Sequence, residues 1–484
     1  MNDALAQALA RPLELDPERT AVAEPRRRVS YAECAAGAAR LADGLRANGV
    51  EPGQAVVVAL GNRWTHVATL LACWRVGATP VPIDPRSTER EVRAVIDALG
   101  GRAHWVDDRE QPVEASGVKG HRWTWHADNL ELREGEVHPA VVRPGLGMVQ
   151  FTSGSSGAPK GILVGREALL ARARGVIDSL ELGPDDRTLC CLPLSHSHGI
   201  DCLGLPSWIA GGCLHLLPPQ AAAPTTVLGL LERERITFFS TVPGFYDLAV
   251  RATGARTYDL GSLRNPMCGS AALSASTARA FAERFGRTLV QGYGLAEIGP
   301  VTLNLDVRES GRFDSIGRPI DGIACRRTAA GELIVTGAGM AEGYLGREEE
   351  WTERVTNGEL HTGDLAEVDA AGRYRLVGRR SRAINVDGQQ VHPSEIEQLV
   401  MELPWVQAVA VVDQAAPGQR AQLAAHVVLA ASTTADAARP RLEAHVQAHL
   451  SRHKWPAHWH FPESLPRSSV GKVLADRLGE ERDA

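Results

Sequence analysis

The sequence predicts an α/β protein. A large N-terminal domain is built of doubly wound αβ layers and carries a small β-barrel-like subdomain, and a small α+β C-terminal domain follows. Three observations carry this. The length of 484 residues exceeds the usual size of one folding unit several-fold. Helical and strand patterns alternate through the first part of the chain, the signature of parallel layers. From about Ile316 the texture shifts to short strands and Gly turns, and a separate α+β tail follows the polar stretch Gly378-Arg-Arg-Ser-Arg382.

In order, Tyr31 to Asn48 spaces its apolar positions as a helix and stops at Gly49. Gln54 to Leu60 reads as a buried strand, His66 to Val76 as a helix ended by Gly77, and Thr79 to Ile83 as a strand before Asp84-Pro85. The rhythm returns at Thr188 to Leu192, Cys213 to Leu217 and Ile236 to Thr241. Gly331 to Thr336, Ala366 to Asp369 and Tyr374 to Val377 read as antiparallel strands around Gly turns. The tail gives a helix near Ser394 to Glu402, strands at Val406 to Val412 and Ala424 to Leu429, and a helix from Arg441 to Ser451. The joint falls in Gly378 to Arg382, dividing the chain into residues 1–378 and 379–484.

Composition excludes several classes. Net charge is −6, which implies no basic face for nucleic acid or anionic lipid. No apolar run approaches the ~18 residues of a membrane span, and the N-terminus lacks the pattern of a signal peptide. Eight cysteines without a Cys-x-x-Cys pair argue for a reduced, cytoplasmic protein without a zinc site. Of 52 basic residues only Lys119, Lys160, Lys454 and Lys472 are lysine. In so Arg-rich a chain, a retained Lys hints at a need for a compact ammonium.

Residues 151–161 read Phe-Thr-Ser-Gly-Ser-Ser-Gly-Ala-Pro-Lys-Gly. Glycines turn N–H groups toward an anion, hydroxyls add donors, and Lys160 adds charge. This is a phosphate loop over Thr152, Ser153, Gly154, Ser155, Ser156 and Gly157, but not a Walker loop, which needs Gly-Lys followed by Ser or Thr. Further segments follow in register: Gln291-Gly-Tyr-Gly-Leu-Ala-Glu297, Ser315 to Pro319, Gly331 to Leu333, Met340 to Tyr344, Thr362-Gly-Asp364 with Gly378-Arg379, Gly388 to Glu397, and Pro466 to Lys472. Together they resemble the adenylate-forming superfamily of acyl- and aryl-CoA synthetases, peptide-synthetase adenylation domains and luciferase, over nearly the whole chain.

The resemblance implies two half-reactions. A carboxylate attacks the α-phosphate of ATP, releasing pyrophosphate, and the thiol of coenzyme A then displaces AMP. It implies Lys472 as the ammonium between the two anions, Glu297 with Thr152 as Mg²⁺ ligands, and Tyr293 stacked on adenine beside Gln291, Gly292 and Gly294. Asp364 and Arg379 would hold the ribose. The C-terminal domain would be mobile, swinging at Arg380 and Ser381 to bring Gly388 and Gln389 to the thiol. Leu192-Pro-Leu-Ser-His-Ser-His-Gly199 is similar to the His-bearing segment of acyl- and aryl-CoA ligases, with His196 at the pocket mouth. His196 would act as a catalytic group that shifts between the half-reactions, and the pocket itself would be His196, His198, Ser240, Thr241, Val242, Gly269, Ser270, Ala271 and Gly292.

The Phe-Asp pair that binds an α-ammonium in amino-acid-activating relatives falls on His198-Gly199, which argues against an α-amino acid. The expected substrate is a small aryl or short-to-medium acyl acid, and the expected assembly a monomer or homodimer. The alternatives are a carrier-protein phosphopantetheine as acceptor, or another oxyanion such as nitrite activated for coupling to an amine. A kinase or ATPase would instead release ADP, and a noncatalytic nucleotide sensor would show no acid-dependent exchange of pyrophosphate. Departures from the family pattern are Ala296 for Thr, Gly165-Arg166 for Ser/Thr-His, and Ser381-Arg382 at the hinge.

Overall fold

The computed structural model describes residues 3–101, 103–108, 122–126, 129–133, 142–152, 159–252, 254, 256–382, 384–386, 389–415, 421–431, 433–467 and 473–478. Two sheets with parallel cores carry the N-terminal part. The larger has nine strands. Its parallel run is Val290–Leu295, Asn265–Cys268, Phe238–Thr241, Arg187–Cys190, Cys213–Leu216 and Thr20–Glu24, in that spatial order. The smaller places Thr79–Pro82, Ala55–Ala59, His104–Asp108 and Arg122–His126 in parallel, with Asn129–Arg133 closing antiparallel.

Local signals explain the elements between them. Helix Tyr31–Ala47 starts at a capping box: Glu33 N–H donates to Ser30 Oγ (3.1 Å) and Ser30 N–H to Glu33 Oε2 (2.7 Å), which satisfies two orphan amides. Its buried stripe Cys34, Ala38, Leu41 and Leu45 joins Trp64 and Ala68 of helix Trp64–Val76 in one core. Gly77, at φ 76°, turns the chain directly into strand Thr79–Pro82, a conformation natural to glycine.

The β-rich part is a five-stranded antiparallel sheet of Ile323–Arg327, Glu332–Gly337, Val355–Thr356, Glu359–Val368 and Tyr374–Arg379. A three-stranded sheet joins Leu146–Thr152, Lys160–Gly165 and Gly343–Tyr344. The tail packs helices Pro393–Val400 and Ala435–His449 on strands Val406–Asp413, Leu423–Leu429 and His458–His460 around its own core of Ile396, Val411, Val427, Leu442 and Trp459. The last helix begins at Ala435 rather than Arg441, with Pro440 inside it. Ala438, Leu442 and Val446 form one buried stripe, and its burial outweighs the hydrogen bond that proline removes.

Arg380 and Arg382 belong to different sides of the joint. Arg380 Nη1 lies 3.5 Å from Glu332 of the antiparallel sheet, and Arg382 Nη2 donates to Glu397 Oε1 (2.8 Å) and to the Val411 carbonyl (3.1 Å) in the tail. Ser381 sits between them in a single 3-10 turn.

Candidate active site

The functional positions gather where parallel strands end, the usual place for a ligand in open α/β sheets. Ser240 and Thr241 close strand Phe238–Thr241, Gly269 and Ser270 follow strand Asn265–Cys268, and Gln291, Gly292, Tyr293 and Gly294 lie on strand Val290–Leu295. His196 and His198 follow strand Arg187–Cys190. Gly294 must be glycine, because a Cβ there would stand 2.6 Å from the Gly299 carbonyl oxygen.

Two side chains, Tyr293 and Arg379, meet at Asp364, which is buried. The Tyr293 hydroxyl donates to Oδ2 (2.6 Å), and Arg379 Nε donates to Oδ1 (2.8 Å). Burial and the Asp364 charge push the Tyr293 phenol well above its usual range, so it stays a donor. Each carboxylate oxygen keeps a free acceptor direction, which two neighbouring hydroxyls can use.

A second cluster surrounds Glu297. The Tyr344 hydroxyl donates to Glu297 Oε1 (2.6 Å), and Arg354 Nε lies 3.5 Å from the same oxygen. Arg354 Nη2 donates to the Thr362 carbonyl (3.1 Å), two residues before Asp364, which ties the two clusters together. Lys160 forms an ion pair with Glu350, and its Nζ lies 5.3 Å from the centre of the Tyr344 ring. Lys160 thus borders the Glu297 cluster at one end of the Ser/Gly loop, and Thr152, at the other end, is its register partner. Among the described residues no group of three His, Cys, Asp or Glu side chains could hold a metal. One carboxylate with nearby hydroxyl oxygen still suits Mg²⁺, which commonly takes one or two carboxylates and completes its shell with phosphates and water.

The third cluster is the pocket. His198 Nε2 lies 2.7 Å from Ser240 Oγ and Nδ1 lies 2.8 Å from Ser270 Oγ. Burial, with a smaller contribution from His196, lowers its pKa to about 4, so the ring is neutral, donating through one nitrogen and accepting through the other. Ser270 adopts φ 66°, a left-handed conformation that carries strain for a serine. Gly269 leaves room for the ring, since a Cβ there would sit 3.1 Å from His198 Cε1. Gly292 lies beside Gly269, its carbonyl oxygen 3.7 Å from that same Cβ position, while Thr241 is buried, Val242 packs at the core edge and Ala271 is exposed.

His196 makes no hydrogen bond within this trio. Burial lowers its pKa, and the nearby Arg86 charge adds to that while Asp84 opposes it. Asp84 and Arg86 form an ion pair (2.6 Å) on a small cleft that Leu60, Asn62, Ser195 and Gln220 also line. Gln389 is exposed on strand Gln389–Val391. The expected roles of Ser153, Gly154, Ser155, Ser156, Gly157, Gly388 and Lys472 fall outside the described residues.

Sequence reasoning did not single out Tyr344 and Arg354 as site groups, nor the buried Arg172. The last carried a signal: it interrupts the stripe Leu169, Ala173, Val176 and Leu180 of helix Arg166–Leu180, all buried, and a charge in such a stripe needs a partner.

With this geometry in hand, the AMP-binding enzyme profile matches residues 9–345 and the AMP-binding enzyme C-terminal domain profile residues 395–472. The chain belongs to the AMP-binding enzyme family. Among similar AMP-binding enzymes is a feruloyl-CoA synthase of an Amycolatopsis species, 31% identical over 98% of both chains. An indoleacetate–CoA ligase of Aromatoleum aromaticum is 30% identical, covering 98% of this chain and 97% of its own. Among solved structures, the amide bond synthetase McbA from Marinactinospora thermotolerans has a TM-score of 0.85 at 25% identity, covering 98% of this chain and 99% of that one. The large αβ part, the small C-terminal part and the ligase class of this family agree with the sequence expectations.

Proposed function

We propose that this AMP-binding enzyme is an AMP-forming acid–thiol ligase. It activates a small aryl or short-to-medium acyl carboxylic acid with ATP, releases pyrophosphate, and forms a thioester with coenzyme A. The observation that carries this reading is the joining of the Asp364 and Glu297 clusters through Arg354, beside the Lys160 end of the phosphate loop. Asp364 accepts from the ribose hydroxyls while Tyr293 and Arg379 fix its carboxylate. Glu297, with Thr152, would hold Mg²⁺, which when bound neutralises charge on the phosphates. Lys472 supplies the cation between carboxylate and α-phosphate, where two anions must approach.

An α-amino acid does not suit the pocket. The nearest carboxylate along the chain from His198 is Asp201, which is fully buried and already committed to Arg172, Gln150 and Ser197. A neutral His198 flanked by two hydroxyls instead favours an uncharged acid body. The protein works in the cytoplasm, as a monomer or homodimer; its cysteines are all unpaired among the described residues, and no described helix is long and apolar enough to cross a membrane.

A second acceptor reading rests on the likeness to the amide bond synthetase: an amine in place of the thiol. A carrier-protein phosphopantetheine presents the same thiol as coenzyme A. Acid-dependent exchange of labelled pyrophosphate into ATP, run over aryl, short-chain and dicarboxylic acids, tests the first half-reaction. Adding coenzyme A, a phosphopantetheinylated carrier or an amine to the best acid then separates the acceptors. Absence of exchange with every acid, or release of ADP, would overturn the proposal.

A further inference from the structure

Arg172 and Asp201 form an ion pair (3.0 Å) with both side chains fully buried. Such a pair is dearly desolvated, and replacing it with neutral groups often leaves a fold as stable as before, so stability alone is a weak reason for it. Its partners suggest another. Arg172 Nε donates to the Gly339 carbonyl (2.8 Å), Nη2 to the Ala296 carbonyl (3.2 Å), and Nη1 to Gln150 Oε1 (3.3 Å) as well as to Asp201. Asp201 in turn accepts from Gln150 Nε2 (3.1 Å) and from the Ser197 hydroxyl (2.8 Å).

Each partner adjoins a site group. Ala296 precedes Glu297, Gly339 begins the loop to Tyr344, Gln150 is two residues before Thr152, and Ser197 lies between His196 and His198. The Glu297 and Gly339 segments are also clipped directly, since Ala341 N–H donates to the Glu297 carbonyl (2.7 Å). Two glycines make room for the guanidinium stem: a Cβ on Gly299 would meet Arg172 Cδ at 2.7 Å, and one on Gly339 would meet Arg172 Cγ at 3.0 Å. A planar fork with fixed donor directions can hold these carbonyls and a carboxylate together, which an ammonium cannot.

We propose that Arg172 is a positioning residue: its guanidinium locks the turn carrying Glu297 to the loop carrying Tyr344, and through Asp201 registers both against the Thr152 strand and the His198 turn. This rests on the reading of Glu297 as the magnesium-side carboxylate. The test uses the full chain in three forms: parent, Arg172→Met, and the double variant Arg172→Met/Asp201→Asn, which keeps an amide for Gln150 and Ser197 but has no buried charge.

The thermal midpoint should fall in the single variant and recover in the double. Amide hydrogen exchange at Ala341 should stay about tenfold faster than parent in both, the order expected when a segment loses one buried hydrogen-bond tether. Binding of Mn²⁺ in the presence of a nonhydrolysable ATP analogue, followed by electron paramagnetic resonance, should weaken about tenfold in both. A double variant that recovers its midpoint together with parent-like Ala341 protection would overturn the proposal, because Arg172 would then serve the fold alone. If the parent binds no Mn²⁺ but Ala341 still loses protection, the metal reading of Glu297 fails while the positioning role stands.

Discussion

Asp364→Asn tests the ribose assignment with the smallest change of shape. Asp364 accepts two charge-assisted bonds, from Tyr293 (2.6 Å) and Arg379 (2.8 Å), and its remaining lone pairs are the ones the proposed ribose contact would use. Asn retains one oxygen for the Arg379 donor and turns the other position into a donor facing the Tyr293 hydroxyl, which can accept. One charge-assisted bond to the ribose is lost, worth about 1.5–3 kcal/mol, which corresponds to a rise of roughly 10- to 150-fold in the Kd for ATP. Arg379 keeps the amide oxygen as acceptor and is about one-third exposed (37% of its side chain), so water can solvate the guanidinium that has lost its counter-charge and the fold should persist. Isothermal titration with ATP reads the binding loss, and pyrophosphate exchange at varied ATP and varied acid reads its site. The KM for ATP should climb while the KM for the acid moves less than about threefold. An unchanged Kd for ATP, or equal rises for both substrates, would refute the ribose role.

Three further outcomes test other assignments. Lys472→Ala should cut acid-dependent pyrophosphate exchange by about 10²–10³-fold yet still transfer from a supplied acyl-adenylate to coenzyme A; loss of both would remove the assigned role. Ser381→Pro, between two arginines anchored on opposite sides of the joint, should leave exchange within about threefold of parent and slow transfer by at least about tenfold, with equal effects on both steps counting against a hinge there. Burial lowers the pKa of His66 from 6.5 to about 4 despite its contact with the Leu60 carbonyl. The unfolded chain takes up that proton first, so stability is full above about pH 6.5 and declines as pH falls toward 4. Near pH 5 the loss from His66 alone is about 2 kcal/mol. Urea midpoints at about pH 7 and pH 5 measure it, and a His66→Asn variant that kept the full slope would contradict the assignment.

The fold was legible where one period dominated. Strands Ala55–Ala59 and Cys213–Leu216 are short apolar runs, and they appear within a residue or two of their expected bounds. Helix Ala435–His449 was misjudged at its start because proline reads locally as a stop, whereas the stripe that buries the preceding turn is a tertiary fact. The site divides in the same way. The family pattern pairs Asp364 with Arg379 and sets Tyr293 apart on the adenine, and only folding shows that one carboxylate joins all three. His196 and His198 are told apart in the sequence only by the resemblance, which puts His196 at the pocket mouth and His198 inside. The structure separates them, because a residue at the start of a helical turn and one two positions later face different neighbours, here the Asp84–Arg86 pair and the two serines. Arg172 is the instructive omission. No motif contains it, and its meaning lies in four segments that converge only in three dimensions, yet a charge set in an apolar helix face had already signalled that a buried partner must be waiting for it.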